Sequence, residues 1–463
     1  MLNNILDYEQ AEDKMQAIAQ EGTIKELKPL ANTTFGLPIR HFVTGQGNQD
    51  IVITGATHGS EIISADFVLK LMDDINTTPS NWNQILENYK IHFIPILNPE
   101  GYLISTSAIR KLIPKDMSQS EAEKICKEYY KIYRLDTTDP DRENSLKRHQ
   151  KFFEGISSDC IPDKYSEIRN KVSSILQKYP DLPPWCLHVW SANANGIDIQ
   201  ANSSYNPQIK QIMNGEALYM KPIRFDNIDF SHPGPMNCPF DKEASCFKAE
   251  PETQALADLL DTLHSKNKLF AYLNYHSTGG MIFQRPSIPP KNLSINRDDI
   301  SKKEIQNYIF AKLYSQKTYK NRGLDENGID KKETTPYTIQ TNLEKATSTN
   351  DIFRLLYPQD LLIELSPMGG NPLAPYGDIN GNYSNTMNSN LDAVKHTLEI
   401  ASYIKLISEN FYKNIQCFKD KEDYTHVISA LDMIYQEFSK RLKQFSKKDS
   451  KLNRKDYLEN EGR

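Results

Sequence analysis

Along the chain the apolar residues change their spacing in a regular order. Ile51-Val52-Ile53-Thr54-Gly55 is a β-branched run without polar alternation, the pattern of a strand buried on both faces. From Glu61 to Met72 apolar residues recur at helical spacing instead. Residues 91–97 (IHFIPIL) then return to a continuous apolar run, closed by Asn98-Pro99. Strand, helix and strand in one short stretch predict a crossover unit and a mostly parallel sheet. Short strands at 24–32 and 37–44, joined by a turn, precede this unit. Downstream the pattern predicts a helix at 250–266 and strands at 269–275 and 360–365.

Between these stretches the texture changes. From Lys111 the chain is charged, rich in lysine and tyrosine, and helix-prone (SQSEAEKICKEYYKIYRL, then KYSEIRNKVSSILQKY). The expected organisation is a helical segment at 1–24, one α/β domain over 25–400 interrupted by a helical insertion at 111–188, and a helical extension at 401–463. A second polar excursion covers 285–335, and a Gly/Pro loop covers 369–381. The last helices are expected at about 390–414 and 424–444, before a charged tail from Lys447.

Charge narrows the function classes. Of the 463 residues, 55 are Lys or Arg and 60 are Asp or Glu, a net charge of −5. That balance carries no basic footprint for nucleic acid. No apolar run approaches the ~18–20 residues of a membrane span, and the acidic N-terminus lacks a cationic start and small-residue cleavage site. A cytoplasmic protein without a nucleic-acid or membrane partner is the expectation. The six cysteines form no CxxC pair, so reduced thiols are expected and cysteine is not the expected metal ligand.

Three places put ionisable residues just beyond predicted strands, where open α/β sheets build their ligand crevices. His58 and Glu61, three residues apart, suit a zinc ion with a further position left for water; Glu61 equally suits an ordinary first-turn helix carboxylate. His276 follows the strand ending Asn274-Tyr275 and is a third ligand or a buried histidine bonded to a backbone carbonyl. Glu364 stands among Leu361-Leu362-Ile363-Leu365, as a proton-transferring carboxylate or half of a salt bridge.

Their order, His58-x-x-Glu61, then His276, then Glu364, resembles the zinc carboxypeptidase family. Asn98-Pro99-Glu100-Gly101-Tyr102 is similar to the family's NP(E/D)G(Y/F) turn. Residues 190–199 (WSANANGIDI) are similar to its NxxGVDLNRN segment, and Glu250-Pro251-Glu252-Thr253 to its SEPET-like helix start. The resemblance covers residues ~25–110, 188–285 and 335–380. It implies a carboxypeptidase-like mixed, mostly parallel sheet flanked by helices, with one zinc per chain. It further implies that His58, Glu61 and His276 are the ligands, Glu364 is the general base, and the reaction is amide hydrolysis in a small peptide.

The pattern breaks at the substrate side. Where the family grips a free C-terminal carboxylate with an Asn-Arg pair, this chain has Gln200-Ala201-Asn202, and Ser60 fills a position that is arginine in animal carboxypeptidases. The WxANxNGVDL form without Asn-Arg is similar to the bacterial γ-D-glutamyl-meso-diaminopimelate peptidase branch, which implies a cell-wall muropeptide. Gln200 and Asn202 are the candidate substrate contacts, and Arg110, Lys221, Arg224, Arg285 and Arg354 the candidate replacement cations. Tyr337 is the candidate for the family's scissile-bond tyrosine, and His188, beside Trp190, is in sequence reach of the site. A deacylase or esterase on the same scaffold and a peptide-binding pseudo-peptidase are the rival readings. A protein partner for the 111–188 insertion is left open.

Overall fold

Eight strands assemble into one sheet, and the apolar run at residues 51–54 lies inside it with a parallel neighbour on each side. The computed structural model describes residues 6–138, 142–180, 182–202, 249–277, 279–283, 297–318, 320–321, 334–340, 360–365, 382–412, 435–436 and 440. Helix α1 (Tyr8–Glu21) leads into strands β1 (Lys25–Glu26), β2 (Phe42–Thr44) and β3 (Gln49–Thr54). Helices α2 (Ile62–Thr77) and α3 (Asn83–Asn88), strand β4 (Tyr89–Ile94) and helix α4 (Pro99–Leu112) complete the first crossover. Helices α5 (Gln119–Thr138), α6 (Arg142–Phe152), α7 (Ser166–Lys178), α8 (Ile199–Asn202) and α9 (Pro251–Ser265) follow. The chain then forms β5 (Leu269–Ser277), β6 (Met281–Phe283), α10 (Arg297–Ser315), β7 (Lys320–Asn321), β8 (Thr334–Thr335), β9 (Thr338–Gln340), β10 (Asp360–Leu365) and α11 (Asn382–Tyr412).

The sheet order is β1-β2-β4-β3-β5-β10-β6-β9. Pairing is parallel from β4 through β3 and β5 to β10 and again between β6 and β9, and antiparallel at β1/β2, β2/β4 and β10/β6. Side chains alternate across a strand, and here both faces are covered. Ile51 and Ile53 enter the larger core with Phe67, Val68 and Met72 of α2, whereas Val52 enters a second core with Ile94 and with Leu256 and Leu260 of α9. A strand packed by helices on both sides has no solvated face to mark with polar residues, so it reads as an unbroken apolar run.

Several elements differ from the expectation, each for a local reason. The strands expected at 24–32 and 37–44 shorten to β1, β2 and an isolated bridge from Asn32 to Pro38, because Pro29 and Pro38 have no amide hydrogen to donate. Pro95 likewise stops β4 at Ile94. Asn98-Pro99 does more than close a strand: it opens α4. Asn98 is the N-cap, its side chain accepting from the Gly101 amide at 2.9 Å, and Pro99 takes the first helical position. β5 runs through Ser277, so His276 lies within the strand rather than after it. The 369–381 loop and the tail from Lys447 lie outside the described residues, as does the helix expected at 424–444 apart from positions 435, 436 and 440.

Helices α5, α6 and α7 fall in the charged stretch after α4. Their apolar side meets the rest of the chain through an aromatic cluster in which Phe153 stacks on His188 with ring centroids 3.6 Å apart, beside Tyr129 and Trp185. The His188 carbonyl accepts from Ser105 of α4 at 2.7 Å. Among the described residues no helix is long and apolar enough to cross a membrane. Cys126, Cys160 and Cys186 are free thiols.

A buried polar chain lies on the face of the second core. His41 Nε2 is 2.9 Å from His92 Nδ1, and His92 Nε2 is 2.8 Å from Asp50 Oδ1. Burial first, and the His92 ring beside it, pull His41 down to about 4. The unfolded chain takes this proton near pH 6.5, so stability falls as pH drops from 6.5 toward 4, by at most about 1.4 kcal/mol per pH unit. The melting temperature of the wild type is therefore expected to fall further between pH 7.5 and 5 than that of His41→Gln. Equal falls in the two proteins would refute the assignment.

Candidate metal centre

The turn after β3 is held in a conformation its sequence would not choose. Ala56 has φ of +45°, the left-handed region that non-glycine residues rarely occupy. Two hydrogen bonds fix it: its amide donates to Ser64 Oγ at 2.8 Å, and its carbonyl accepts from the Asn98 amide at 3.0 Å. Ser64 Oγ also donates to the Glu61 carbonyl at 2.6 Å, so α2 grips the turn that precedes it. Gly59 then passes directly over the start of α4. A Cβ at Gly59 would lie 2.1 Å from the Gly101 carbonyl carbon, and one at Gly101 would lie 2.3 Å from the Ala192 carbonyl oxygen, so each position needs glycine for close backbone approach. The Gly59 amide donates to the Ser191 carbonyl at 3.0 Å.

Strand register brings the distant residues to this turn. Thr54 pairs with Asn274 across β3 and β5, and Glu364 pairs with His276 across β5 and β10. Glu61 stands between the two histidines. His58 Nδ1 lies 2.8 Å from Glu61 Oε1, His276 Nδ1 lies 2.8 Å from Glu61 Oε2, and the Ser277 amide donates to the same Oε2 at 3.2 Å. One ligand-type atom from each of His58, Glu61 and His276 lies within 4.8 Å of the others, and all three residues are buried. No other His, Cys, Asp or Glu cluster of this kind occurs among the described residues.

The electrostatics of these groups suit a cation. Burial weighs against a charged imidazole, but the Glu61 and Asp198 carboxylates outweigh it and hold His58 well above the usual histidine range. Burial likewise weighs against the Glu61 charge, yet the two imidazoles hold it below the usual carboxylate range. Burial and the Glu61 charge together push Glu364 far up. Glu364 Oε2 and His276 Nε2 are both shielded from solvent and make no hydrogen bond. Two imidazoles and a carboxylate are the donor set of a catalytic zinc site with one position open to water, so the residues present fit such an ion.

The structure adds Asp198, to which the sequence reading assigned no role. Its Oδ1 lies 3.3 Å from His58 Nε2, leaving Nδ1 directed at Glu61. A carboxylate behind a ligating imidazole sets its tautomer and orientation. The available signal was position alone: Asp198 sits in the GIDI segment whose other residues carried the resemblance. That segment is held by a second polar network. Glu100 accepts from the Phe35 and Ala194 amides at 2.9 and 3.0 Å, and Glu250 Oε2 accepts from Asn193 and Asn195 at 2.8 and 3.1 Å. Glu252 is fully buried nearby, and its own burial together with Glu100 pushes its carboxyl far up.

The expected substrate contacts fare differently. Asn202 is buried, and its side-chain carbonyl accepts from the Glu250 amide at 2.6 Å, at the start of α9. Tyr337 is also turned inward: its hydroxyl accepts from Asn390, which accepts from Tyr314, which bonds Tyr275. Tyr275 neighbours His276 on β5, so alternation carries this network to the opposite face of the sheet. Gln200 is half-buried at the second position of α8. Arg110 is tied to Asp7 at 3.4 Å and Gln10 at 2.6 Å, so its guanidinium is engaged with the start of α1. Lys221, Arg224, Arg285 and Arg354 lie outside the described residues. His188 does not reach the site; its Nδ1 meets the Trp185 carbonyl at 2.6 Å, and burial lowers it to about 3.

The family model described as zinc carboxypeptidase matches residues 15–452. A search of curated proteins found no matching relative. Solved structures that resemble the chain include bovine thrombin-activatable fibrinolysis inhibitor in complex with tick carboxypeptidase inhibitor, 13% identical, covering 87% of this chain and 98% of that one, with a TM-score of 0.46. Carboxypeptidase A from Helicoverpa armigera matches at 13% identity, 87% and 75% coverage and a TM-score of 0.46. A metallo-carboxypeptidase from Burkholderia cenocepacia matches at 10% identity, 87% and 69% coverage and a TM-score of 0.43.

The contact of Gly59 with Gly101 offers a test of the geometry. Gly59→Ala must push the His58 turn off α4, whereas an exposed glycine such as Gly155, where a Cβ meets nothing within 4 Å, tolerates change with only its own backbone cost. Gly59→Ala is expected to lose bound metal in elemental analysis while retaining a helical circular-dichroism spectrum. Full metal content in Gly59→Ala would mean that the turn is not constrained by this contact.

Proposed function

The chain belongs to the zinc carboxypeptidase family, and from that premise we propose that His58, Glu61 and His276 hold the catalytic zinc while Glu364 is the general base for hydrolysis of an amide bond in a small peptide. The observation that carries this reading is the meeting of the two imidazoles and the Glu61 carboxylate, with Glu364 in strand register beside His276.

Bound zinc supplies Lewis acidity, acidifying water toward a pKa of ~7 and polarising the scissile carbonyl. The protein's own part is orientation and proton transfer. Asp198 holds the His58 ring with Nδ1 inward. Burial and the Glu61 charge favour the protonated form of Glu364. A cation held by the two imidazoles and Glu61 would offset that charge and return it to the carboxylate, whose shielded Oε2 would then take a proton from the attacking water and deliver it to the leaving amine. The apolar neighbours Ile363 and Leu365 keep the strand itself in the core, so this carboxylate is held on rigid backbone.

Within that activity the substrate we favour is a muropeptide stem. Residues 200–202 (QAN) lack the cation that grips a free C-terminal carboxylate, which disfavours an ordinary C-terminally free peptide, and the form of residues 190–199 (WSANANGIDI) is similar to the γ-D-glutamyl-meso-diaminopimelate peptidase branch.

The test combines metal content with turnover in the wild type, His276→Ala and Glu364→Gln. Wild type and Glu364→Gln are expected to carry zinc near one equivalent, and His276→Ala to lose it. Glu364→Gln is expected to lose about 10²–10⁴-fold in turnover. The substrates are C-terminally free and amidated peptides, γ-D-glutamyl-diaminopimelate stems, and N-acylated amino acids. Turnover of Glu364→Gln within threefold of wild type would refute the base, and cleavage confined to the N-acyl substrates would make the protein a deacylase.

A further inference from the structure

The two imidazoles of the metal centre come from separate elements, one on the turn after β3 and one within β5, and something must set their spacing. Resting on the zinc reading above, we propose that Asn274 is a positioning residue that sets the separation of His58 and His276 through the hydroxyl of Thr57. Asn274 Oδ1 accepts two hydrogen bonds, from Thr54 Oγ1 at 2.9 Å and from Thr57 Oγ1 at 3.0 Å. Thr54 closes β3, and Thr57 is the residue before His58. Asn274 is two residues before His276 on β5, so both side chains leave the strand on the same face.

The bonding has a defined direction. A side-chain carbonyl has two acceptor sites and both are used. Because the Thr54 hydroxyl gives its proton to Asn274, the Tyr272 hydroxyl, 3.1 Å from Thr54 Oγ1, must be the donor in that contact. The chain therefore runs from Tyr272 through Thr54 to Asn274, with Thr57 joining from the other side. Asn274 is 2% exposed and Thr57 3%, so water does not compete for these bonds.

This tie differs from the others around His58. The Gly59 amide and the Thr57 carbonyl bond Ser191 and Asn98, which hold the turn to α4 and the 190–198 segment. Among the described hydrogen bonds, only the Glu61 carboxylate and Asn274 connect this turn to β5, and Glu61 is itself a proposed ligand. Asn274 thus fixes the approach of the two rings without donating to the metal, and its loss is expected to appear as a metal affinity change larger than the change in folding.

Zinc affinity of the full chain, measured by competition with a chromophoric chelator, separates this role from plain structural support. Thr57→Val keeps shape and removes the hydroxyl, and Thr57→Ser keeps the hydroxyl. Thr57→Val is expected to bind zinc about tenfold more weakly, with a cooperative thermal transition retained in the metal-free protein. Thr57→Ser is expected to stay within threefold of wild type. Thr57→Ala carries the same expectation as Thr57→Val where the valine variant does not fold. Unchanged affinity in the hydroxyl-free variants would overturn the proposal and leave the functional reading intact. Equal weakening in Thr57→Ser and Thr57→Val would also overturn it, because the hydroxyl would then not be the cause. A folded wild type that binds no zinc would overturn the functional reading and this inference with it.

Discussion

Glu61 is a buried carboxylate with an imidazole at each oxygen, and neither imidazole is near it in the strand order by accident. His58 comes from the turn after β3 and His276 from β5, and each lies 2.8 Å from one Glu61 oxygen. A buried anion among neutral groups is costly, so it persists only where positive charge or hydrogen-bond donors surround it. Here one of the partners, His276, lies 215 residues from Glu61 in sequence. Satisfying that one carboxylate therefore requires the parallel pairing of β3 with β5, the left-handed turn at Ala56 and the close passage of Gly59 over Gly101.

Those requirements explain why so many of the recognisable motifs are scaffolding. Glu100 receives the Ala194 amide, Asn193 bonds Glu250, and Asn202 receives the Glu250 amide. Together they hold the segment that presents Asp198 to His58. The motif residues thus form a polar frame one layer behind the proposed ligands. A largely buried frame of carboxylates and amides rigidifies what it holds because misplacement leaves a buried group without its partner.

The same logic separates the residues that face the centre from those turned away from it. Along β5, Asn274 and His276 share one face, and Tyr275 points to the other, where it joins Tyr314, Asn390 and Tyr337. A period of two along one strand thus divides the face that carries the proposed zinc ligand from a structural one. Tyr337 was the nearest tyrosine to the spacing the family resemblance implies upstream of Glu364, but spacing does not say which side of a sheet a residue occupies.

Local composition by itself determined the parts of this protein that depend on neighbours in sequence. The apolar run at 51–54, the helical spacing after Glu61, the strand at 360–365 and the order His58, Glu61, His276, Glu364 were all legible, because burial on both sheet faces and strand-end chemistry leave a pattern in the residues themselves. The helix beginning at Pro99 was hidden by reading Asn98-Pro99 only as a stop, although an asparagine cap followed by proline also starts a helix. Tertiary structure alone decided the rest. It selected Asp198 as the partner of His58, engaged Asn202, Tyr337, Arg110 and His188 in contacts of their own, and made Asn274 a hydrogen-bonded link between β5 and the turn that carries His58. Those outcomes are set by strand register and by which face of the sheet a side chain leaves, and both are properties of contacts between segments far apart in the chain.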